Sequence, residues 1–233
     1  MGPDVHSSET GRSMNLFIDP NPPSDTAPVK LEYVLWRAVD IIAALAFLIF
    51  FTPLLLAAAA AIKLQDGGPV LFGHTRIGLG GHRFKCLKLR SMVVDADARL
   101  AALLECDPVA RREWERERKL RNDPRITWLG AFLRKSSIDE LPQLLNVLRG
   151  EMSLIGPRPI VDAEVPRYGR WFRAYCSVRP GISGLWQVSG RNDVSYRRRV
   201  ALDVMYVRQR SFMLNVWIAL RTVPAVLLRE GSY

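Results

Sequence analysis

The chain has 233 residues, with 33 Lys and Arg against 23 Asp and Glu, a formal charge of +10. Hydrophobic residues make up 48% and charged residues 24%, an ordinary globular composition that excludes a disordered or collagen-like chain. The distribution is uneven: residues 41–62 carry no charge, and residues 31–233 hold 31 bases against 19 acids, which excludes both an evenly mixed soluble protein and a fully membrane-embedded one. An excess of this size needs an anionic counterpart: nucleic acid, an anionic membrane surface or phosphorylated substrates.

Residues 1–30 are rich in Ser, Pro and Asp without periodicity, and read as a disordered arm. The run 41–62, IIAALAFLIFFTPLLLAAAAAI, is 22 residues long, and a helix needs about 20 apolar residues to cross a bilayer. The plainer alternative is a buried helix of a soluble domain. A secretory signal fits poorly, because the run is too long and follows 40 other residues. Pro53, after Thr52, removes one helix hydrogen bond and predicts a kink. Two geometries follow. A kinked span puts residues 1–40 outside the cell, whereas a re-entrant hairpin leaves both ends in the cytoplasm. The C-terminal flank holds Lys63, Arg76, Arg83, Lys85, Lys88 and Arg90 against Asp66, which places that side in the cytoplasm. The N-terminal flank sums to zero and leaves its own side undecided.

Residues 70–76 and 82–89 read as short strands joined by a turn at 77–81, IGLGG. No Gly-Lys-Ser/Thr follows these glycines, so a phosphate loop is disfavoured. Residues 95–105 and 108–120 read as helices, the second with Asp107 as N-cap and Pro108 at its first position. Its dense charges suit a solvated, ion-paired face, and Trp114 is expected against the core or the membrane interface. Cys86, Cys106 and Cys176 are scattered, with no zinc spacing, and point to a reducing compartment.

Residues 134–159 read RKSSIDELPQLLNVLRGEMSLIGPRP. Ser137 and Glu140 have the spacing of a capping box, ahead of the apolar pattern Leu141, Leu144, Leu145, Leu148 and a stop at Gly150. Asp139 and Glu140 are therefore expected at a helix N-terminus, with Arg134, Lys135 and Arg158 nearby. Both acids can simply complement the helix dipole. The flanking bases allow another use, since a helix N-terminus beside arginines is a phosphate site. There an ionised Asp can attack phosphorus, with Mg²⁺ neutralising a diphosphate and Glu140 supplying a hard oxygen ligand. The C-terminal residues suggest two amphipathic helices, 196–209 and 212–228, rich in Arg. The last suits equally a helix lying in the headgroup region and one packed on the domain.

The motifs SIDELPQ (137–143), NVLRGEMS (146–153) and GPRP (156–159) resemble the bacterial sugar transferase family, the monotopic phosphoglycosyl transferases. So do GPVLF (68–72), TRIG (75–78), KLRSM (88–92), NDPRIT (122–127) and RPGISGLWQVSGR (179–191). The resemblance covers residues 31–233. It implies transfer of a hexose-1-phosphate from a UDP-sugar to undecaprenyl phosphate, giving undecaprenyl-diphosphate-sugar and UMP, in two steps through a phosphosugar on Asp139. By position Glu140 becomes the partner carboxylate, for Mg²⁺ and for acid–base work, with Asp139 also near the metal. Arg134, Arg158, Lys88, Arg90 and Arg191 match positions expected to contact substrate phosphates.

The family's membrane helix is re-entrant and broken at a Ser-Pro-like pair, a place taken here by Thr52 and Pro53. Ser183 and Asn215 depart from the Thr and Asp common in relatives, at positions with no proposed catalytic part. The implied fold is α+β and mostly helical: an arm (1–30), a re-entrant membrane helix hairpin (31–63) and a cytoplasmic catalytic domain (64–233) with a small β-hairpin and interfacial helices. The length matches the short, exopolysaccharide-initiating form of the galactose/glucose-1-phosphate type. The expected partners are UDP-hexose, undecaprenyl phosphate and membrane lipid at the bacterial inner membrane, with a homodimer left open. Nucleic acid is not expected, as no nucleic-acid-binding signature is present. The rival is a catalytically silent scaffold of the polysaccharide machinery.

Overall fold

The computed structural model describes residues 27–117, 120, 122–190 and 195–227. The arm predicted at 1–30 lies outside these residues except for its last four, and so does Arg191.

The uncharged run belongs to one helix, α1 (Ala27–Asp66), with Pro53 inside it. Proline has no N–H to give the preceding turn. Thr52 turns its hydroxyl back on that turn, donating to the Leu48 carbonyl at 2.6 Å. Only 11% of the most apolar stretch of α1 is buried. That decides against the buried helix of a soluble domain, because Ile42, Ile49, Phe50 and Leu56 face outward. Both sides of Pro53 nevertheless rest on the same folded body. Ala44 and Leu48 pack with Phe84, Leu144 and Val147. Leu55, Ala58 and Ile62 pack with Leu89 and Leu133.

Strands β1 (Leu71–Ile77) and β2 (Arg83–Leu89) pair antiparallel around the predicted glycine turn, with Gly80 and Gly81 in left-handed backbone. Residues α2 (Ala96–Cys106) and α3 (Pro108–Glu117) form two helices. As predicted, the Asp107 carboxylate caps α3, accepting from Val109 N at 2.7 Å and Ala110 N at 3.1 Å. Trp114 of α3 lies under the Arg125 guanidinium, 5.1 Å away.

Helix α4 (Trp128–Lys135) is capped by Thr127 Oγ1, which accepts from Gly130 N. A Cβ at Gly130 would stand 1.9 Å from the Ser91 carbonyl oxygen, so only glycine lets α4 press onto that backbone. Next comes a single 3₁₀ turn, Ile138–Glu140, then α5 (Gln143–Leu148) and β3 (Ser153–Ile155). The chain continues through α6 (Val165–Tyr168) and α7 (Phe172–Tyr175) to β4 (Gly181–Ser183), which pairs parallel with β3. A Cβ on Gly181 would stand 2.1 Å from Gly156 N, so these glycines set the close approach of the two strands. After α8 (Leu185–Val188) come α9 (Tyr196–Gln209) and α10 (Phe212–Leu227).

One local expectation changes. The capping box does not form. Ser137 takes φ 58°, makes no side-chain cap, and the helix starts only at Gln143. Helix α9 is a packing helix, burying Val200, Asp203, Val204 and Tyr206. Helix α10 is two-sided, with Asn215 and Ile218 buried and Met213, Trp217, Leu220 and Val223 outward. The parallel β3–β4 pair has no counterpart among the predicted strands. Its strands are three residues each, too short to show periodicity.

Candidate active site

Asp139 and Glu140 stand on the 3₁₀ turn between α4 and α5. Ser137 is the one non-glycine residue with positive φ among the described residues. Such backbone is uncommon outside glycine and collects at functional turns. The turn packs against β2, where Lys88 meets both acids. Its Nζ is 2.6 Å from Glu140 Oε1 and 3.8 Å from Asp139 Oδ2.

Three further cations close on the pair. Arg134, at the end of α4, donates from Nε to Ser91 Oγ at 2.8 Å and acts electrostatically on Asp139. Arg158 follows the Gly156–Pro157 turn, and its guanidinium lies 5.9 Å from the ring of Trp186. Arg76 of β1 is the third. Arg76, Lys88 and Arg158 line one narrow cleft with Glu140, Gln143 and Gln187. Glu140 is the only acid on that lining, so the cleft suits an anion.

The two carboxylates differ in kind. Asp139 is 6% exposed, and burial pushes its carboxyl up to about 6. Lys88 pulls it back, Glu140 pushes it further, and Arg134 pulls it down again. Burial also opposes ionisation of Glu140, but Lys88, Arg158 and Arg76 together outweigh it and hold that carboxyl below its ordinary value. Adjacent acids whose environments separate their pKa values can divide labour, one as a nucleophile or base and one as a fixed anion. Among the described residues no third His, Cys, Asp or Glu joins them in a metal-sized cluster. Two hard oxygen donors are nevertheless what Mg²⁺ takes from protein when phosphate and water fill its other positions.

The structure brings Asp139, Glu140, Lys88, Arg134 and Arg158 together. It takes Arg90 elsewhere. That guanidinium is 7% exposed and meets both oxygens of Asp66, with Nη1 to Oδ2 at 2.7 Å, while its Nε donates to the Pro69 carbonyl at 2.6 Å. Arg90 therefore clasps the end of α1 to β2. Thr52 and Pro53 lie at the middle of α1. Arg191 lies outside the described residues. Arg76 had no role assigned from sequence. Strand periodicity offered a signal, because side chains two apart share a face. Arg76 pairs with Phe84, and Phe84, Cys86 and Lys88 alternate along β2 onto that face.

Residues 31–229 match the profile of a family described as bacterial sugar transferase. The exopolysaccharide production protein ExoY of Rhizobium meliloti is 49% identical over 212 residues, covering 91% of this chain and 94% of its own. The undecaprenyl-phosphate galactose phosphotransferase of Salmonella typhimurium is 48% identical over 197 residues. That match covers 84% of this chain but 41% of the longer relative. The UDP-glucose:undecaprenyl-phosphate glucose-1-phosphate transferase of Caulobacter vibrioides is 40% identical over 241 residues, 98% of this chain and 82% of its own.

Proposed function

Because the chain belongs to the bacterial sugar transferase family, we propose that it moves a hexose-1-phosphate from a UDP-sugar to undecaprenyl phosphate, with glucose or galactose as the sugar. The product, undecaprenyl-diphosphate-sugar, starts an exopolysaccharide chain. The observation that carries this reading is the Asp139–Glu140 pair, Asp139 buried and Glu140 half-buried, among the cations Lys88, Arg76, Arg134 and Arg158. Relatives named for sugar-phosphate transfer to undecaprenyl phosphate support it.

The proposed chemistry has two displacements. Asp139 attacks the phosphorus that bears the sugar; a carboxylate O–P bond forms, the P–O bond to UMP breaks, and UMP leaves. An oxygen of undecaprenyl phosphate then attacks the same phosphorus, the acyl-phosphate bond breaks, and the Asp139 carboxylate is restored. A carboxyl near 6 is mostly ionised at neutral pH yet more basic than an ordinary Asp. Lys88 and the arginines bind and orient the phosphates, and Glu140 takes a proton from the incoming phosphate when that oxygen carries one. Asp139 and Glu140 would hold Mg²⁺, with Lys88 engaging Glu140 Oε1 and leaving its second oxygen. The bound ion supplies charge neutralisation at the diphosphate.

The membrane reading is a re-entrant α1 on the cytoplasmic face. Asp40, just before the uncharged run, accepts from Leu154 N at 2.9 Å and Ser153 Oγ at 3.1 Å. Asp66, just after it, is paired with Arg90. A run crossing a hydrocarbon core of about 30 Å would leave these two anchors on opposite sides, whereas both are tied to one body. The basic residues of that body favour the cytoplasm.

The test is release of UMP from UDP-glucose and UDP-galactose by the membrane-bound chain. It should require undecaprenyl phosphate for steady turnover, and Asp139→Asn should abolish both turnover and the trapped phosphosugar adduct. A fully active Asp139→Asn variant, or an adduct that maps to it, removes Asp139 from the mechanism. Binding of UDP-sugar without any turnover by the wild type favours the scaffold instead.

A further inference from the structure

A second cavity lies apart from the cleft at Glu140. It has a volume of about 90 Å³ and lies between the N-terminal arm of α1, the β3 strand and the junction of α9 with α10. It shares no lining residue with the catalytic cleft. Water occupies about 30 Å³ per molecule in the liquid, so the space is larger than a single solvent site.

Three arginines line it. Arg37 donates from Nη2 to the Val147 carbonyl at 2.7 Å, and Arg179 donates from Nε to the Gly150 carbonyl at 2.6 Å. Each therefore spends part of its fork on the C-terminal end of α5, and Arg179 also donates from Nη1 to the Tyr33 hydroxyl, which leaves its Nη2 free among the described residues. Arg210 spends none. Among the described residues its guanidinium lies 5.6 Å from the ring of Tyr33 and acts electrostatically on the Tyr206 hydroxyl, with Arg179 at 5.5 Å from the Tyr33 ring. Two acids also line the cavity. Asp40 is already engaged by Ser153, Leu154 and Arg37. Glu32 is exposed. Neither Arg179 nor Arg210 faces a carboxylate in an ion pair among the described residues.

The surroundings say what kind of anion fits. Leu31, Val34 and Leu35 on α1, and Met213 and Leu220 on α10, all face outward. The cavity thus opens between two elements with exposed apolar faces. Its rim carries Tyr33 and the edge-to-face pair Trp36–Phe212, with ring centroids 5.6 Å apart. Aromatic rings and arginines at the border of apolar faces mark the headgroup level of a bilayer. A guanidinium fork with free N–H groups matches a phosphate in shape and charge.

We propose that this cavity is a second lipid site, holding the phosphodiester headgroup of a bilayer phospholipid on Arg179 and Arg210, with its acyl chains along the outward faces of α1 and α10. The occupant is a resident lipid, separate from the substrates of the catalytic cleft. Its phosphate ties the segment before β4, through Arg179, to the α9–α10 corner, through Arg210.

Native mass spectrometry of the full chain in detergent, titrated with dioleoylphosphatidylglycerol, tests this. The wild type and Asp139→Asn should each retain one lipid with equal affinity, so the outcome does not depend on the proposed reaction. Arg210→Gln should weaken retention at least tenfold, and it removes no side-chain hydrogen bond among the described residues. Glu32→Gln, at an exposed position, should tighten it about threefold by removing a repelling charge. Unchanged affinity in both variants overturns the site. Displacement of the lipid by inorganic phosphate at low millimolar concentration assigns the cavity to free phosphate and overturns the lipid reading. Preferential uptake of undecaprenyl phosphate there makes it an acceptor subsite and overturns it too.

Discussion

Lys88→Gln separates the electrostatic role of the lysine from its structural one. Lys88 Nζ is 3.8 Å from Asp139 Oδ2. At that separation two unit charges interact by about 4 kcal/mol with an effective dielectric constant near 20. The lysine side chain keeps 27% of its exposure, so solvent screening reduces this to about 2 kcal/mol. One pKa unit corresponds to about 1.4 kcal/mol, and removal of the charge should raise the Asp139 carboxyl by about 1.5 units. The wild-type value of about 6 leaves roughly nine-tenths of Asp139 ionised at pH 7, and the variant would keep roughly a quarter. The sign is fixed by chemistry. In the proposed mechanism the ionised carboxylate is the nucleophile, so activity should fall on the acid side and recover as pH rises. Initial rates of UMP release between pH 5 and 9 should show a wild-type acid limb near 6. In Lys88→Gln the limb should move up by one to two units, with a loss of about fourfold at pH 7 from ionisation alone. A limb that stays in place, or a loss equal at every pH, refutes the coupling between Lys88 and Asp139.

Three further outcomes follow from the same geometry. Chelation with EDTA should stop UMP release and Mg²⁺ should restore it; an unchanged rate removes the metal from Asp139 and Glu140. Asn146→Ala should destabilise the domain. Asn146 is fully buried and bonds to Leu87 N at 2.9 Å, Lys85 O at 2.8 Å and Glu151 Oε2 at 2.6 Å. Stranding these groups costs about 1–3 kcal/mol each, so urea unfolding of the variant in detergent should show a loss of about 3 kcal/mol. A loss below about 1 kcal/mol contradicts the link it makes between α5 and β2. For topology, Ser7→Cys should resist an impermeant maleimide in intact cells and react after permeabilisation; labelling from outside rules out the re-entrant α1.

What the sequence determined by itself is local or long-patterned. The glycine turn at 77–81 and its flanking strands depend on backbone permissions and two-residue alternation. The start of α3 needs only Asp107 and Pro108, which are neighbours of the helix they begin. The 22 uncharged residues announce an apolar helix by length alone, and the motifs around Asp139 announce a family. The tertiary structure decided the rest, because it depends on which distant groups meet. Ser137 and Glu140 have capping-box spacing, but Lys88, 52 residues upstream, takes the Glu140 carboxylate at 2.6 Å and the box does not form. Arg90 and Lys88 are two residues apart in one basic motif. Lys88 reaches the carboxylates, while Asp66 captures Arg90 to anchor α1. Arg76 enters the cleft only through its place on β1 beside β2. The close pairing of β3 with β4 depends on glycines 25 residues apart whose missing side chains matter only once the strands meet. Charge and burial act through space, so the opposite pKa shifts of Asp139 and Glu140 became legible only when the fold set their surroundings.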